Sequence, residues 1–231
     1  MRFVTITGAD DAVDVRDLAA LSREFPFVEW GILASLTSAG TPRYPSDRWL
    51  AELCRRGHHL NLAMHLCGRM ARETLAGDNT WVDGWSVFRR VQINGYVPPA
   101  PEFAAVAARE PYEFILQVSS EEWLQETATE VAGLPNVGLL FDPSGGRGRE
   151  PGRWAVPPFG VRMGYAGGIG PDNVEQVLRD IGPVNADAWI DMETGVRDER
   201  DRLSLDKVQL VLESVAPSFQ QAAGTLPEVE Q

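Results

Sequence analysis

The sequence has few of the residues that build disulfide frameworks or structural metal sites. Its 231 residues include two cysteines, Cys54 and Cys67, and three histidines. Two cysteines cannot form the disulfide framework of a small secreted domain, and these two lack the paired spacing of a zinc site. The scarcity predicts a protein of a reducing compartment without a structural metal.

Long apolar runs and positive charge are also scarce. No stretch approaches the ~20 apolar residues of a membrane span, and the N-terminal MRFVTITG has no apolar signal core. The 33 acidic residues outnumber the 21 Lys and Arg residues, which gives a formal net charge of −12. Such a surface repels phosphate backbones and anionic membranes. We therefore expect a cytoplasmic protein that binds neither nucleic acid nor membrane.

What the sequence does contain is a regular alternation of short β-branched or aromatic runs with amphipathic stretches. The candidate strands are 2–7, 28–34, 59–65, 89–94, 113–118, 137–142, 161–165 and 187–191. The helix-like segments are 12–23, 46–57, 68–77, 100–109, 121–132, 171–182 and 204–215. This alternation predicts parallel strands joined by helical crossovers, and eight strands favour a closed barrel. The prediction is a single α/β domain, a (β/α)₈ TIM barrel over residues 1–220, with a frayed acidic tail at 221–231.

One segment breaks the alternation. Residues 143–160, PSGGRGREPGRWAVPPFG, have the Gly and Pro content of a loop rather than of a helix. A loop of this length in a compact domain is usually functional or mobile.

Polar residues recur where the candidate strands end. Because side chains alternate along a strand, residues of one parity face the barrel interior. The inward polar set at the carboxyl ends of the strands is Thr7, His65, Gln92, Asn94, Gln117, Asp142, Asp191 and Glu193. Active sites of (β/α)₈ barrels lie at this end, so the set predicts a ligand pocket. The alternative is a network of polar side chains that hydrogen-bond to one another and bind no ligand. Glu29 and Arg162 are candidates for a buried ion pair lower in the barrel.

Several motifs resemble those of one family. The run AGGIGPDNV at 166–174 resembles Ala-Gly-Gly-Leu-x-Pro-Glu-Asn-Val of phosphoribosylanthranilate isomerases, and DMETGV at 191–196 resembles their Asp-Val-Ser-Ser-Gly-Val. Further matches, in the family's order, are at 6–8, 42–44, 91–95, 139–142 and 145–148. They extend over nearly the whole chain, so the resemblance implies the barrel of this family.

The resemblance also implies catalytic roles. Family members carry out an Amadori rearrangement of an aminoaldose phosphate, with a cysteine ending the first strand as base and an aspartate ending the sixth as acid. Asp142 occupies the acid position, whereas Thr7 occupies the base position, and a hydroxyl cannot accept a proton near neutral pH. We therefore expect a reaction different from the standard one. His65 is the candidate replacement base, and a structural, hydrogen-bonded histidine is the alternative.

The resemblance places a phosphate site after the seventh and eighth strands, at Gly167, Gly168, Gly195 and Val196. Glu193 replaces a small hydroxyl residue beside this site, and its carboxylate would repel phosphate unless a cation compensates. Arg147 and Arg197 are candidates for that cation. The expected substrate-binding residues are Thr7, Arg43, Gln92, Asn94, Arg147, Asp191 and Glu193.

Together these features are interpreted as an isomerase or lyase that acts on a small, polar, sugar-like and possibly phosphorylated substrate. The first alternative is a non-catalytic barrel that binds a ligand. The second is a metal-dependent enzyme that uses Asp142, Asp191, Glu193 and His65 as ligands. No cofactor is expected, the partner is a small molecule, and the chain is expected to be a monomer or a homodimer.

Overall fold

Eight parallel strands form a closed barrel, with each strand hydrogen-bonded to the next and β8 to β1. The computed structural model describes residues 1–82, 86–95 and 98–223. The strands are β1 (Val4–Thr7), β2 (Val28–Ala34), β3 (Leu62–Leu66), β4 (Arg90–Ile93), β5 (Glu113–Val118), β6 (Val137–Phe141), β7 (Met163–Ala166) and β8 (Ile190–Met192). The helices are α1 (Val15–Glu24), α2 (Asp47–Arg56), α3 (Arg69–Leu75), α4 (Phe103–Arg109), α5 (Glu121–Glu130), α6 (Val174–Ile181) and α7 (Leu205–Ala223). The (β/α)₈ prediction is confirmed.

Most predicted elements are present, with shifted ends. Strands β2 and β5 have the predicted bounds, whereas β3 begins at Leu62 because the chain first turns, with the Leu60 amide donating to the Gly57 carbonyl at 2.8 Å. Helix α6 begins at Val174 rather than at 171. The Asn173 side chain holds the preceding turn by accepting from the Gly170 amide (2.9 Å) and donating to the Gly168 carbonyl (3.0 Å).

No helix lies between β6 and β7 in the described chain, as the Gly and Pro content of this segment predicted. The segment is nevertheless attached to the barrel, because the Tyr165 hydroxyl donates to the Ala155 carbonyl at 2.8 Å. The Trp154 ring packs edge-on against Tyr165, with 5.6 Å between ring centroids.

Helix α7 continues to Ala223, beyond the predicted end at residue 215 and into the predicted tail. Residues 224–231 lie outside the described residues, so the frayed tail there stays a prediction. None of the described helices combines the length and apolar character needed to cross a membrane.

The core has two parts. Outward-facing strand residues such as Val4 and Ile6, both fully buried, pack against the helices. A smaller cluster inside the barrel contains Ile115, Leu140, Ala166 and Trp189. We call this inner cluster the plug. A Cβ added to Gly164 would lie 2.2 Å from the Trp189 ring, so glycine makes room for this side chain. Side chains therefore fill the barrel interior, and the described residues leave no pore through it.

The predicted ion pair between Glu29 and Arg162 is wrong, because each residue pairs with a different partner. Glu29 pairs with Arg90 at 2.8 Å, and Arg162 pairs with Glu113 at 2.5 Å. Arg90 begins β4 and is buried inside the barrel, whereas the Arg162 side chain lies before β7 and is 32% exposed. The ion-pair partner of Glu29 in the interior is therefore Arg90.

Candidate active site

The inward-facing polar residues meet in one open pocket of about 360 Å³ at the carboxyl ends of the strands. The pocket is lined by all eight members of the predicted polar set: Thr7, His65, Gln92, Asn94, Gln117, Asp142, Asp191 and Glu193. The plug forms its floor through Leu140 and Ala166. The sequence parity thus brings these side chains together at the end of the barrel where enzymes of this fold act.

Asp191 lies at the centre of a buried cluster. Thr7 Oγ1 donates to Asp191 Oδ1 at 2.7 Å, and Gln92 Nε2 donates to Asp191 Oδ2 at 3.2 Å. Burial raises the pKa of Asp191 to about 7, and the negative charges of Glu193 and Glu29 add to this effect, while the two hydrogen bonds oppose it. Both protonation states of Asp191 are therefore populated near neutral pH.

Asp142 is held by the chain that follows it. Its Oδ1 accepts from the Ser144 hydroxyl (2.6 Å) and the Ser144 amide (3.1 Å). Its Oδ2 accepts from Gln117 Nε2 and the Gly146 amide, both at 2.7 Å. These four contacts fix the carboxyl group of Asp142 in the pocket wall.

His65 has the surroundings of a structural histidine. Its Nδ1 lies 3.2 Å from Gln92 Nε2, whose two hydrogens also have Asn94 Oδ1 (3.0 Å) and Asp191 Oδ2 (3.2 Å) as acceptors. His65 Nε2 has no hydrogen-bond partner among the described residues. Burial lowers the pKa of His65 to about 3, and the positive charge of Arg90 contributes. A buried imidazole with a pKa this low is a weak base, so these surroundings do not support the predicted role.

Glu193 is compensated by Arg43. Arg43 Nη1 lies 2.7 Å from Glu193 Oε1, and its Nη2 lies 2.7 Å from Asp201 Oδ1. The Arg43 amide also donates to Asp10 at 2.6 Å, and its backbone has a left-handed φ of 77°. These contacts tie the loop after β2 to the loop after β8.

Arg147 and Arg197 do not perform the compensating role predicted for them. Arg197 is buried, donates to the Gly8 carbonyl at 2.9 Å and pairs with Asp10 at 3.3 Å. Arg147 donates from Nε to the Ser144 carbonyl at 2.8 Å and does not line the pocket. Both guanidinium groups hold loop backbone instead, so Arg147 has no support as a substrate-binding residue.

The two turns predicted to bind phosphate, one after β7 and one after β8, lie in close contact. Gly168 has a left-handed φ of 66°, and a Cβ on Gly195 would lie 2.1 Å from the Ile169 carbonyl oxygen, so neither position tolerates a side chain. The amides of Gly168, Thr194 and Gly195 donate to no group within the described ranges. Free amides that converge on a pocket form a site for an anion.

Of the four predicted phosphate residues, Gly167, Gly168 and Gly195 line the pocket and Val196 does not. Val196 is fully buried, and its amide donates to the Glu193 carbonyl at 3.3 Å. Its amide is therefore already used within the turn.

Tyr44 and Ser144 also line the pocket, although neither was predicted as a site residue. Tyr44 is the last residue of the matched motif at 42–44, and Ser144 lies two residues after Asp142. Cys67 also lines the pocket, with Asn94 Nδ2 at 3.5 Å from its sulfur, and burial raises the pKa of its thiol.

In the described part of the chain, no three His, Cys, Asp or Glu side chains are placed to hold a metal ion together. Asp191 instead pairs with Thr7, and Glu193 pairs with Arg43. The metal-dependent alternative therefore has no ligand geometry to support it.

Comparison with known proteins identifies the type of barrel. No protein-family model matches the sequence. The chain is 39% identical over 104 residues to N-(5'-phosphoribosyl)anthranilate isomerase of Deinococcus radiodurans, an alignment that covers 42% of this chain and 48% of that protein.

Solved structures match over nearly the whole length. Phosphoribosyl anthranilate isomerase from Thermus thermophilus has a TM-score of 0.65 at 22% identity, with 94% of this chain and 99% of that chain covered. A phosphoribosyl anthranilate isomerase in complex with reduced 1-(o-carboxyphenylamino)-1-deoxyribulose 5-phosphate has a TM-score of 0.61 at 17% identity, with 94% and 100% covered. The chain therefore has a (β/α)₈ barrel whose fold is similar to that of phosphoribosylanthranilate isomerases.

Proposed function

We propose that the chain is a sugar-phosphate isomerase that converts a phosphorylated aminoaldose to the corresponding aminoketose. Asp191 and Asp142 are its proton-transfer pair. The observation that carries this proposal is the presence of two carboxyl groups in one polar pocket, one of them buried with a pKa of about 7. The name of the Deinococcus radiodurans relative supports the same reaction class.

Asp191 takes the place of the missing cysteine base. The Thr7 hydroxyl donates its proton to Asp191 at 2.7 Å, so the threonine orients the carboxylate instead of accepting a proton itself. A carboxylate with a pKa of about 7 is a much stronger base than an ordinary aspartate. General bases work best with a pKa near the pH at which the enzyme operates.

Asp142 serves as the acid. As the ring opens, the nitrogen lone pair forms a C=N bond to carbon 1, the bond between carbon 1 and the ring oxygen breaks, and this oxygen takes the proton of the Asp142 carboxyl group. Asp191 then removes the proton from carbon 2, and the resulting enamine tautomerises to the ketone. One carboxyl group loses a proton and the other gains one, so exchange with water restores both.

The phosphate of the substrate is assigned to the free amides of Gly168, Thr194 and Gly195. Glu193 borders this place, and its ion pair with Arg43 reduces the repulsion. Because the name of the Deinococcus radiodurans relative specifies a phosphoribosyl group, N-(5'-phosphoribosyl)anthranilate is the first substrate to test. This proposal departs from the expectation of a reaction other than the standard one, which the similar proteins do not support. The cytoplasmic location and the monomer or homodimer stay predictions.

The test is turnover of that substrate by the purified protein and by the Asp142→Asn and Asp191→Asn variants. Each substitution removes a proton-transfer group, so turnover should fall by at least ~100-fold. The matched control is Asp180→Asn, on the exposed face of α6, which should keep full turnover. Wild-type turnover in either pocket variant would exclude the proposed pair.

A non-catalytic barrel is the second candidate, favoured by Thr7 at the base position and Glu193 beside the phosphate turns. It predicts that the substrate or its product raises the melting temperature without turnover. A ligand at one hundred times its Kd adds about 2.7 kcal/mol to the stability, which a melting curve detects.

A further inference from the structure

A second cavity lies at the amino-terminal end of the barrel, on the other side of the plug from the candidate active site. Its volume is about 270 Å³, and it is lined by Arg2, Phe3, Phe27, Glu29, Arg89 and Arg90, among others. Arg2 and Arg89 are exposed at its rim, whereas Arg90 is buried. The proposed function makes no use of this cavity.

Arg90 has an unused hydrogen-bonding edge. Its guanidinium lies over the Phe3 ring at 4.3 Å and over the Trp189 ring at 4.6 Å, and its side chain is only 6% exposed. Nη1 donates to Glu29 at 2.8 Å, but Nε and Nη2 have no hydrogen-bond acceptor among the described residues. Buried donors of a charged group are seldom left unpaired, because the loss of hydration is costly.

The carboxylate of Glu113 does not occupy the free edge formed by Arg90 Nε and Nη2. Glu113 Oε2 is 3.4 Å from Arg90 Nε without forming a hydrogen bond, while Glu113 Oε1 lies 2.5 Å from Arg162 Nη1 and 3.9 Å from Arg2. Three arginines therefore share Glu113. The cavity has an excess of positive charge in a chain whose formal net charge is −12.

We propose that this cavity binds a small carboxylate anion. Its two oxygens would accept from Nε and Nη2 of Arg90, the edge of a guanidinium that forms paired parallel hydrogen bonds with a carboxylate. The apolar body of the ligand would lie against Phe3 and Phe27. A volume of 270 Å³ is below the range of pockets for drug-sized ligands, roughly 300–1,000 Å³, so the acid is small.

The test is calorimetric titration of the full chain with benzoate, with benzamide as the uncharged analogue and inorganic phosphate as the other anion. Benzoate should bind and benzamide should not. Arg90→Lys keeps a positive charge beside Glu29 but removes the paired donors, so binding should weaken by about tenfold or more. The control Arg162→Lys, on a partly exposed arginine outside the free edge, should bind benzoate within about twofold of wild type.

Benzoate could also enter the upper pocket, so its location needs a direct reading. In ¹⁵N,¹³C-labelled wild type, the Nε–H signal assigned to Arg90 through its side-chain carbons should shift with benzoate and not with benzamide. The Nε–H signal of Arg197, which is also buried and is held at the upper opening, should not shift, and neither reading depends on the folding of a variant. The proposal is overturned if benzoate does not bind, if benzamide binds equally, if only phosphate binds, or if Arg90→Lys binds benzoate like Arg162→Lys. Because turnover is not measured, failure of the proposed function leaves this result unchanged.

Discussion

At the scale of single residues, Asp191 couples proton binding to stability. Its pKa is about 7 in the folded chain and 3.8 for an ordinary aspartate in the unfolded chain, so between these values the folded state binds more protons than the unfolded state. The contribution of the protonated group is complete below the unfolded pKa and is lost as the pH rises through 7. Burial thus makes the charged form of Asp191 costly to the fold.

Asp191→Asn removes this cost, because asparagine does not ionise. Relative to the variant, the wild type should lose about 3 kcal/mol of unfolding free energy between about pH 5 and about pH 8. Urea denaturation at both pH values measures the difference, with Asp180→Asn as the exposed control. Parallel pH dependence of wild type and Asp191→Asn would show that Asp191 titrates normally.

The same group sets the expected pH profile of turnover. If Asp191 is the base, kcat/KM should rise with pH through about 7 as the carboxylate forms. Measurement over this range separates two assignments, because a fall through the same pH would make Asp191 the acid.

The sequence predicted the pocket residues better than their partners. Strand parity placed Asp142 and Asp191 in one pocket, since alternation is a local property of the backbone, whereas the placement of Thr7 also needed the register implied by the family resemblance. The pair between Arg43 and Glu193 was out of reach, because its members are separated by 150 residues and lie in two loops. The neutral state of His65 likewise depends on a burial that its position in the sequence does not reveal.

At the scale of elements, the loops after β2 and β8 are held together by Arg43. Both Arg43 and its partner Asp201 have left-handed backbones, with φ of 77° and 57°. Such backbone conformations are unfavourable for residues other than glycine and persist where contacts over-determine them. The ion pairs therefore compensate for local strain.

A double-mutant cycle on Arg43→Ala and Glu193→Ala should give a coupling of about 1 kcal/mol in urea unfolding, because both side chains are largely buried at 27% exposure. The matched control is Arg179 with Glu175 on α6, a pair exposed at 62% on each side. Its coupling should be about 0.3–0.5 kcal/mol. Equal couplings would mean that the Arg43 pair does not stabilise the loops.

The element boundaries show what local pattern can and cannot provide. The missing helix between β6 and β7 was readable because glycine and proline are local signals. The start of α6 could not be predicted in the same way. Pro171 is typical of a first helical turn, but the Asn173 side chain instead hydrogen-bonds to the turn that precedes the helix.

At the scale of the whole molecule, the plug both stabilises the barrel and separates its two openings. Trp189 is fully buried, and its Nε1 has no hydrogen-bond partner among the described residues. Trp189→Ala should cost about 3–5 kcal/mol, which lowers the Tm by roughly 6–20 °C for a chain of this size. Thermal unfolding followed by circular dichroism measures the change.

Trp189→Phe is the matched control for that substitution. It keeps an aromatic ring beside Phe3 and Arg90 and removes the unpaired N–H together with part of the indole ring, so the cavity and the loss of Tm should both be smaller than for Trp189→Ala. A similar loss in both variants would assign the effect to something other than the cavity.

The charged side chains on the amino-terminal side of the plug also affect groups on its other side. The charge of Arg90 helps to lower the pKa of His65, and the charge of Glu29 helps to raise that of Asp191, although both partners lie toward the opposite opening. Charges on the amino-terminal side of the plug therefore contribute to proton binding at His65 and Asp191. An anion bound at Arg90, as proposed above, would therefore change the proton affinity of His65 and Asp191. By thermodynamic reciprocity, protonation of these groups would change the affinity for the anion by the same factor.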